Sequence, residues 1–508
     1  MIVMQKEAVR TMEEAAVSSG ITMERLMENA GTKVAGLAAR LLAEKKLSKV
    51  CVLCGSGNNG GDGFVIARLL SIFCQVQVIL VGGEPKTALA KMNFGILPHK
   101  VEVLYLDSRY YECIGIVKET EMIIDAIYGI GFHGSLPYEV GDLISFCNEN
   151  KTAVKIAVDT PSGAECNTGA VETVCFHADY TVTFSTLKPV HVLYPAADYC
   201  GEVMVEDVGV PERVRKQSFF VMKTTDDGTE DFPLPELPRS ANKGTAGTLL
   251  TVCGSYGMAG AAAMSAQAAL RTGVGLLRAA VPEKIYPILA GRLPEPVFLP
   301  LEQSEDGKIK ASAYEKLYDT LCQSATAGLI GCGLGVNDDT RELVSKLIKT
   351  SPKPLVLDAD GINALEGNIH ILQQASAPLI LTPHPGEMAR LAGTDAAAVQ
   401  RSRYETACRF AAENRVIVVL KGAHTLIAMP DGRVYVNLTG NNGMAKGGSG
   451  DILAGMIASL LAQGMSPEGA AVNGVYYHGL AGDRCREKYS ARAMLPTDLL
   501  DELKTIFT

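Results

Sequence analysis

Two glycine-rich segments, each closing on Gly-Asp, stand near opposite ends of the 508-residue chain. The first runs Gly55-Ser56-Gly57-Asn58-Asn59-Gly60-Gly61-Asp62-Gly63. The second runs Gly440-Asn441-Asn442-Gly443-Met444-Ala445-Lys446-Gly447-Gly448-Ser449-Gly450-Asp451. Glycine lets a backbone come close to a phosphate, and successive N–H groups at a helix start form an anion cradle. The aspartate after each cradle puts a carboxylate beside the bound anion, available as a base or to hold a cation. In the second segment the glycine amides could stabilise a transferring phosphoryl group, and Asp451 could take the proton of an attacking hydroxyl. A glycine turn capped by aspartate is the plain alternative for either segment. Two such segments predict two active sites on one polypeptide.

Other chemistry-bearing residues follow short apolar runs. Asp125 closes the run 122–126, and Asp159 opens Asp159-Thr160-Pro161-Ser162-Gly163 after 155–158. Either aspartate alone reads as a cap on the next turn. Lys421-Gly422-Ala423-His424-Thr425 could hold the phosphates or adenosine of a nucleotide. Asp358 and Asp360 could serve magnesium or a substrate, or cap a helix. His384, between two prolines, reads by itself as a structural hydrogen bonder. Cys51-Val52-Leu53-Cys54 is formally CxxC, but residues three apart on a strand face opposite ways, so core packing is expected.

These residues need a scaffold that gathers strand ends. Apolar runs at 50–53, 77–81, 122–126, 155–158 and 180–184 read as strands, with helical spacing over 23–42 and 64–70. Strands alternating with helices predict a parallel sheet, which binds ligands beyond its strand C-termini. The stretch 212–239 breaks the rhythm with turn formers, charge and Pro233, Pro235 and Pro238, and reads as a boundary or arm. From Lys243 the rhythm restarts, with strands at 248–253, 328–330, 355–357, 379–381 and 416–420 and an Ala-rich helix at 261–270.

Composition narrows the class. Hydrophobic residues are 47% and charged residues 20%, which fits a folded globular chain. A net charge of -9 argues against a nucleic-acid surface, though a local cradle can still hold a phosphorylated ligand. Thirteen scattered cysteines, an odd number, fit free thiols in a reducing compartment. The first residues lack a signal-peptide core, and no apolar stretch reaches the ~20 residues of a membrane span. A cytoplasmic location is expected, with small-molecule partners and neither nucleic acid nor membrane; a homo-oligomer is expected as well.

A specific resemblance now emerges. Residues 242–505 resemble the ribokinase-like NAD(P)H-hydrate dehydratase family through Asn242-Lys243-Gly244, 254–261, 331–335, 357–360, 382–387, 421–425 and 440–451, in order. That family uses ADP, or ATP in some members, to dehydrate the S epimer of hydrated NADH or NADPH. The resemblance implies that Asp451 contacts the substrate and acts as the base. It also implies that Gly450 with Lys421, Gly422, Ala423, His424 and Thr425 binds the adenine nucleotide, with magnesium. Ala261, Gly335 and His384 would line the hydrate's site. Phosphorylating the hydrate's C6 hydroxyl and expelling phosphate would restore the dihydropyridine. Asn442 and Lys446 stand where many relatives have Pro and Thr, and Asn242 where a histidine is common; Lys446 adds a positive charge beside the anion loop.

Residues 5–211 resemble the NAD(P)H-hydrate epimerase family. The matching stretches are Met27-Glu28-Asn29-Ala30-Gly31, 55–63, 125–131, 159–163, and Thr183-Phe184 with Lys188. This resemblance implies a potassium ion held by Asn59, Asp125 and Ser162, oxygen donors that suit a hard cation. It implies a hydrate site built from Asn58, Asn59, Gly60, Gly61 and Asp62 with Gly129, Ile130, Gly131, Phe132, His133, Gly134 and Ser135. Asp159 would contact the nicotinamide end and serve as acid/base.

The expected whole is α/β. An N-terminal Rossmann-like three-layer epimerase domain would span 1–213, a linker or arm 214–239, and a C-terminal ribokinase-like dehydratase domain 240–508. The implied activity is bifunctional metabolite repair, epimerising the hydrates and dehydrating the S form at the expense of ADP. The rival is a ribokinase-like small-molecule kinase fused to a non-catalytic nucleotide-binding domain. The 382–387 motif and the retained Asn59, Asp125, Asp159 and Ser162 weigh against it.

Overall fold

Runs of Val, Ile and Leu become the strands of two mostly parallel sheets, one in each of two units, Met1–Val221 and Met222–Thr508. The computed structural model describes residues 1–217 and 222–507. The first unit's seven-stranded sheet is formed by Lys49–Gly55 (β1), Gln75–Val81 (β2), Glu102–Tyr105 (β3), Met122–Ala126 (β4), Val154–Val158 (β5), Tyr180–Phe184 (β6) and Glu202–Glu206 (β7). Their order is β3-β2-β1-β4-β5-β6-β7, and every pairing is parallel.

Alternation along β1 divides the core. Val50, Val52 and Cys54 join one buried cluster with Val34, Leu41, Phe64 and Ile66. Cys51 and Leu53 join another with Val117, Leu143 and Ile144. Each apolar face is covered by helices, giving three layers. Cys51 and Cys54 therefore face opposite ways, and burial pushes both thiols up. All thirteen cysteines are free. The chain turns from β1 to β2 on one side and returns to β4 on the other. A crevice therefore opens beyond the ends of β1 and β4.

One element differs from expectation. The helix expected from residue 64 begins at Asn58 and runs Asn58–Leu70, capped by Gly57. Asn and Gly are poor helix formers, so the sequence pattern hides this start. Packing favours it: a Cβ on Gly60 would lie 1.8 Å from the Gly55 carbonyl oxygen, an approach open only to glycine.

The second unit's strands are Met222–Thr224 (β8), Thr248–Val252 (β9), Leu276–Pro282 (β10), Val297–Leu301 (β11), Ala327–Ile330 (β12), Leu355–Leu357 (β13), Leu379–Leu381 (β14), Ile417–Leu420 (β15), Leu426–Ala428 (β16) and Val434–Val436 (β17). Their order is β8-β17-β16-β15-β14-β13-β12-β9-β10-β11. Among the described residues of this sheet only β15–β16 and β16–β17 pair antiparallel. Helix Ala259–Arg271 packs on helix Ser449–Ala462 so closely that a Cβ on Gly455 would stand 2.2 Å from the Ser265 carbonyl oxygen. Part of the 214–239 stretch is built into this unit. β8 pairs with β17, and the Phe232 carbonyl accepts from Asn473 Nδ2 at 2.9 Å. Among the described residues no helix is long and apolar enough to cross a membrane.

Candidate functional site

A cleft of about 640 Å³ opens beyond the strand ends of the first unit. Asn58, Asn59, Asp62, Gly129, Ile130, Gly131, Phe132, His133, Ser135 and Asp159 all line it. Gly60 and Gly61 lie buried behind the helix start, and Gly134 is exposed outside the lining. Arg10, Glu13 and Lys188 also line the cleft. Sequence reasoning gave Arg10 and Glu13 no part, since charged residues on a helix carry no signal of their destination. Lys188 stood in a motif without a role.

Asp159 sits in the turn after β5 at φ +65°, a left-handed conformation uncommon outside glycine. Its amide donates to the Val182 carbonyl at 2.8 Å, and its own carbonyl accepts from His191 Nε2 at 2.7 Å. His191 Nδ1 accepts the Lys188 amide at 3.0 Å, so both ring nitrogens are engaged in the neutral form. Burial, then the Lys188 charge, push the imidazole down to about 4. The Asp159 carboxylate accepts from Lys188 Nζ at 2.6 Å and from Thr183 Oγ1 at 2.9 Å. Burial by itself would raise this carboxyl, but the ammonium and the hydrogen bonds hold it below its ordinary value. The arrangement keeps a carboxylate ionised in a cleft, as a base requires.

Below the cleft, Asp125 ends β4 fully buried. One carboxylate oxygen accepts from Ser162 Oγ at 2.7 Å and from the Ile127 amide at 3.1 Å, the other from the Ser162 amide at 2.7 Å. Burial pushes the carboxyl up to about 6 against these bonds. Asn59 Nδ2 is buried with no hydrogen-bond partner among the described residues. A side-chain amide turned over would present its oxygen at that point instead.

In the second unit, Asp451 lies in the first turn of helix Ser449–Ala462, and Gly448 at φ +107° precedes the helix. Lys421 follows β15 and bonds Asp358 Oδ1 at 2.8 Å; Thr382 Oγ1 donates to the same oxygen at 2.6 Å. Lys421 Nζ also faces Gly450, 3.2 Å from where a Cβ would stand. Cys332, Asp358 and Asp451 bring their polar atoms within 4.8 Å of one another. Burial first, then the Asp358 charge, push the Asp451 carboxyl up to about 6.

The remaining expected residues take supporting positions. His384 caps helix Pro385–Ala392 through Nδ1, which accepts from the Gly386 and Glu387 amides at 3.0 and 3.3 Å. Glu387 lies 3.8 Å from Lys421 Nζ and so links His384 to the Asp358 group. The Gly335 amide donates to Asp360 at 2.9 Å, and Ala261 is buried against Gly333. The 421–425 turn is pinned by Arg403, whose guanidinium donates to the Ala423 and Leu420 carbonyls at 2.5 and 3.2 Å, and by Thr425 Oγ1 donating to Gly422. His424 adopts φ +48°. Sequence reasoning missed Arg403, Cys332 and His478. The last is buried beside the Ser449 backbone, with Nε2 unpartnered among the described residues, as is Ser449 Oγ. The ammonium of Lys446 is already engaged within the chain. Its Nζ donates to the Arg492 and Met494 carbonyls, which spend its charge at a helix end.

Comparison with known proteins matches this division. A family model described as NAD(P)H-hydrate dehydratase matches residues 249–505. One described as YjeF-related protein N-terminus matches residues 23–190. The bifunctional NAD(P)H-hydrate repair enzyme Nnr of Moorella thermoacetica is 39% identical over 487 residues, covering 94% of this chain and 91% of its own. The Escherichia coli K12 protein of the same name is 32% identical, covering 97% and 91%. A crystal structure of ADP/ATP-dependent NAD(P)H-hydrate dehydratase from Bacillus subtilis, co-crystallised with ATP/Mg2+, aligns with TM-score 0.49 at 35% identity, covering 55% of this chain and 95% of that one. Matched nearly end to end, with both halves represented, the chain belongs to the family of bifunctional NAD(P)H-hydrate repair enzymes.

Proposed function

We propose that this chain repairs hydrated NADH and NADPH in two steps, one in each unit. The first unit interconverts the R and S hydrates, and the second dehydrates the S hydrate with ADP, leaving AMP and phosphate. In the first unit Asp159, kept ionised by Lys188, exchanges the proton at the nicotinamide end, and the glycine-rich start of helix Asn58–Leu70 takes the substrate's phosphates. Asn59, Asp125 and Ser162 would hold potassium, as the unpartnered Asn59 amide and the buried Asp125 carboxyl support. The ion would neutralise Asp125 beneath the substrate.

In the second unit the hydrate's C6 hydroxyl attacks the β-phosphorus of ADP and AMP departs. Asp451 takes the hydroxyl proton, and Lys421 with the Gly450 backbone meets the charge on the moving phosphoryl group. The C6–O bond then breaks with phosphate leaving, and loss of a C5 proton restores the ring double bond. Magnesium accompanies ADP in this reading rather than sitting in a carboxylate cage. Asp358 is already engaged by Lys421 and Thr382, and Asp360 by the Gly335 amide.

The observation that carries the reading is the seating of Asp451 in the first turn of a glycine-led helix, with Lys421 beside Gly450. The test supplies mixed R and S hydrates with ADP or ATP and follows the near-UV absorbance of reduced nicotinamide. Complete recovery, with AMP and phosphate from ADP in step, is expected. Recovery of the S portion alone would refute the two-step reading, and recovery without nucleotide consumption would refute the phosphoryl route.

A further inference from the structure

The first unit's cleft holds two aspartates in opposite settings. Asp159, on the turn after β5, has an ammonium at 2.6 Å and a hydroxyl donor at 2.9 Å. Asp62 lines the same cleft from helix Asn58–Leu70, a different element from the turn that carries Asp159. Among the described residues its side chain makes no hydrogen bond and no ion pair. The charges that raise its carboxyl are both negative: Asp159, and Glu13 on helix Lys6–Ser18. Of the cleft's cations, Lys188 is taken by Asp159, and Arg10 lines the cleft from Glu13's own helix.

We infer that Asp62 is the acid partner of Asp159, delivering a proton to the C6 oxygen of the hydrate within the same cleft. The assignment rests on the epimerase reading of this unit. Burial, and then the Asp159 and Glu13 charges, push the Asp62 carboxyl well above its ordinary range, while Lys188 holds Asp159 below its own. Two carboxyls whose environments drive them apart divide acid and base between them. The relation is mutual, because each ionised Asp159 and Glu13 makes a second negative charge at Asp62 costlier.

The chemistry of the hydrate uses such a pair. C6 carries both the hydroxyl and ring nitrogen N1. The Asp62 proton passes to the hydroxyl oxygen, and the C6–O bond breaks with its electron pair leaving on water. The N1 lone pair closes a C6=N1 bond. Water then adds to the other face of the flat cation and gives its extra proton to Asp159. C6 is inverted, one water has left and one has returned, and the two carboxyls reset through solvent in the open cleft. Asp62 touches the reacting oxygen in this scheme and is a catalytic residue, not a phosphate contact.

The experiment follows conversion of purified R hydrate to S without ADP, across pH, in the full-length chain and its Asp62→Asn and Asp62→Glu variants. Wild type should epimerise at a rate that falls as pH rises through the Asp62 ionisation. Asp62→Asn should lose at least about a hundredfold in kcat, with KM within about threefold, and should lose that alkaline limb. Asp62→Glu should restore part of the rate and the limb. Dehydration of S hydrate by the second unit and the melting of the first report folding. A wild type that does not epimerise overturns the epimerase reading itself. A wild type that epimerises while folded Asp62→Asn keeps both rate and limb, or loses only KM, overturns the acid role of Asp62 alone.

Discussion

Lys188→Met isolates what the ion pair in the first cleft contributes. Lys188 is 1% exposed and Asp159 13%. Lys188 Nζ bonds Asp159 Oδ1, Thr183 Oγ1 and the Phe184 carbonyl at 2.6, 2.7 and 3.1 Å. Methionine keeps the volume and leaves a buried carboxylate with only Thr183 as donor. Removing one partner of a buried pair costs about 3–5 kcal/mol, because the remaining charge is uncompensated. For a unit of this size each kcal/mol moves the melting temperature by about 2–4 °C, so the first unit's transition should fall by roughly 6–20 °C. Scanning calorimetry that resolves the two units reads this directly. The double variant Lys188→Met/Asp159→Asn buries no charge and should recover to within about 2 kcal/mol of wild type. The pH dependence carries a sign as well. Asp159 is held below its unfolded value, so the pair's contribution is present above about pH 4 and is lost as pH falls through the lower, folded value. Without Lys188, burial dominates and that dependence reverses. A single variant that melts within a degree or two of wild type, or a double variant no more stable than the single, would refute the reasoning.

In the second unit, Asp451→Asn should cut dehydration by about 10²–10⁴-fold while R-to-S conversion continues. Wild-type dehydration should rise as pH climbs through about 6, where Asp451 ionises, and a profile flat across that range would remove Asp451 as the base. Gly455→Val should lower the second unit's melting temperature, because its side chain meets the Ser265 carbonyl; a shift under about 1 kcal/mol would show that the two helices can part. Potassium in place of lithium should raise the first unit's melting temperature, and Asp125→Asn should erase the difference; identical melts in both salts would remove the ion from the site. Lys446→Ala should leave ADP affinity within about threefold while costing about 1–2 kcal/mol of stability, since its charge-assisted bonds go to two carbonyls at a helix end. A tenfold loss of affinity would place Lys446 at the nucleotide instead.

The strand ends were legible because a parallel sheet turns each apolar run into a position. Asp125 and Asp159 could be placed from the residues that precede them. The first helix start was not legible. Asn58 to Gly63 read as a loop by propensity, and only the close approach of Gly60 to Gly55, a contact within the folded unit, makes it helical. The Asp159 support was half visible, since Lys188 stood in a motif, yet nothing in a linear pattern says that a lysine will be buried on an aspartate 29 residues away. Arg403 and His478 act through long-range packing and left no local sign. The partners of Lys446 were not legible, because proximity in sequence to an anion loop says nothing about carbonyls 46 and 48 residues on.

The strand Met222–Thr224 matters for anyone who would separate the two activities. A fragment beginning at residue 240, where motifs resume, would strip β8 from Val434–Val436 and remove Phe232 from Asn473 and from the Tyr435 ring. The exposed edge of β17 would then offer unpaired backbone groups to any neighbouring chain. Loss of dehydratase activity in such a fragment would measure self-association of a damaged sheet. A cut at 221/222 keeps that edge dressed and allows each half to be judged on its own chemistry.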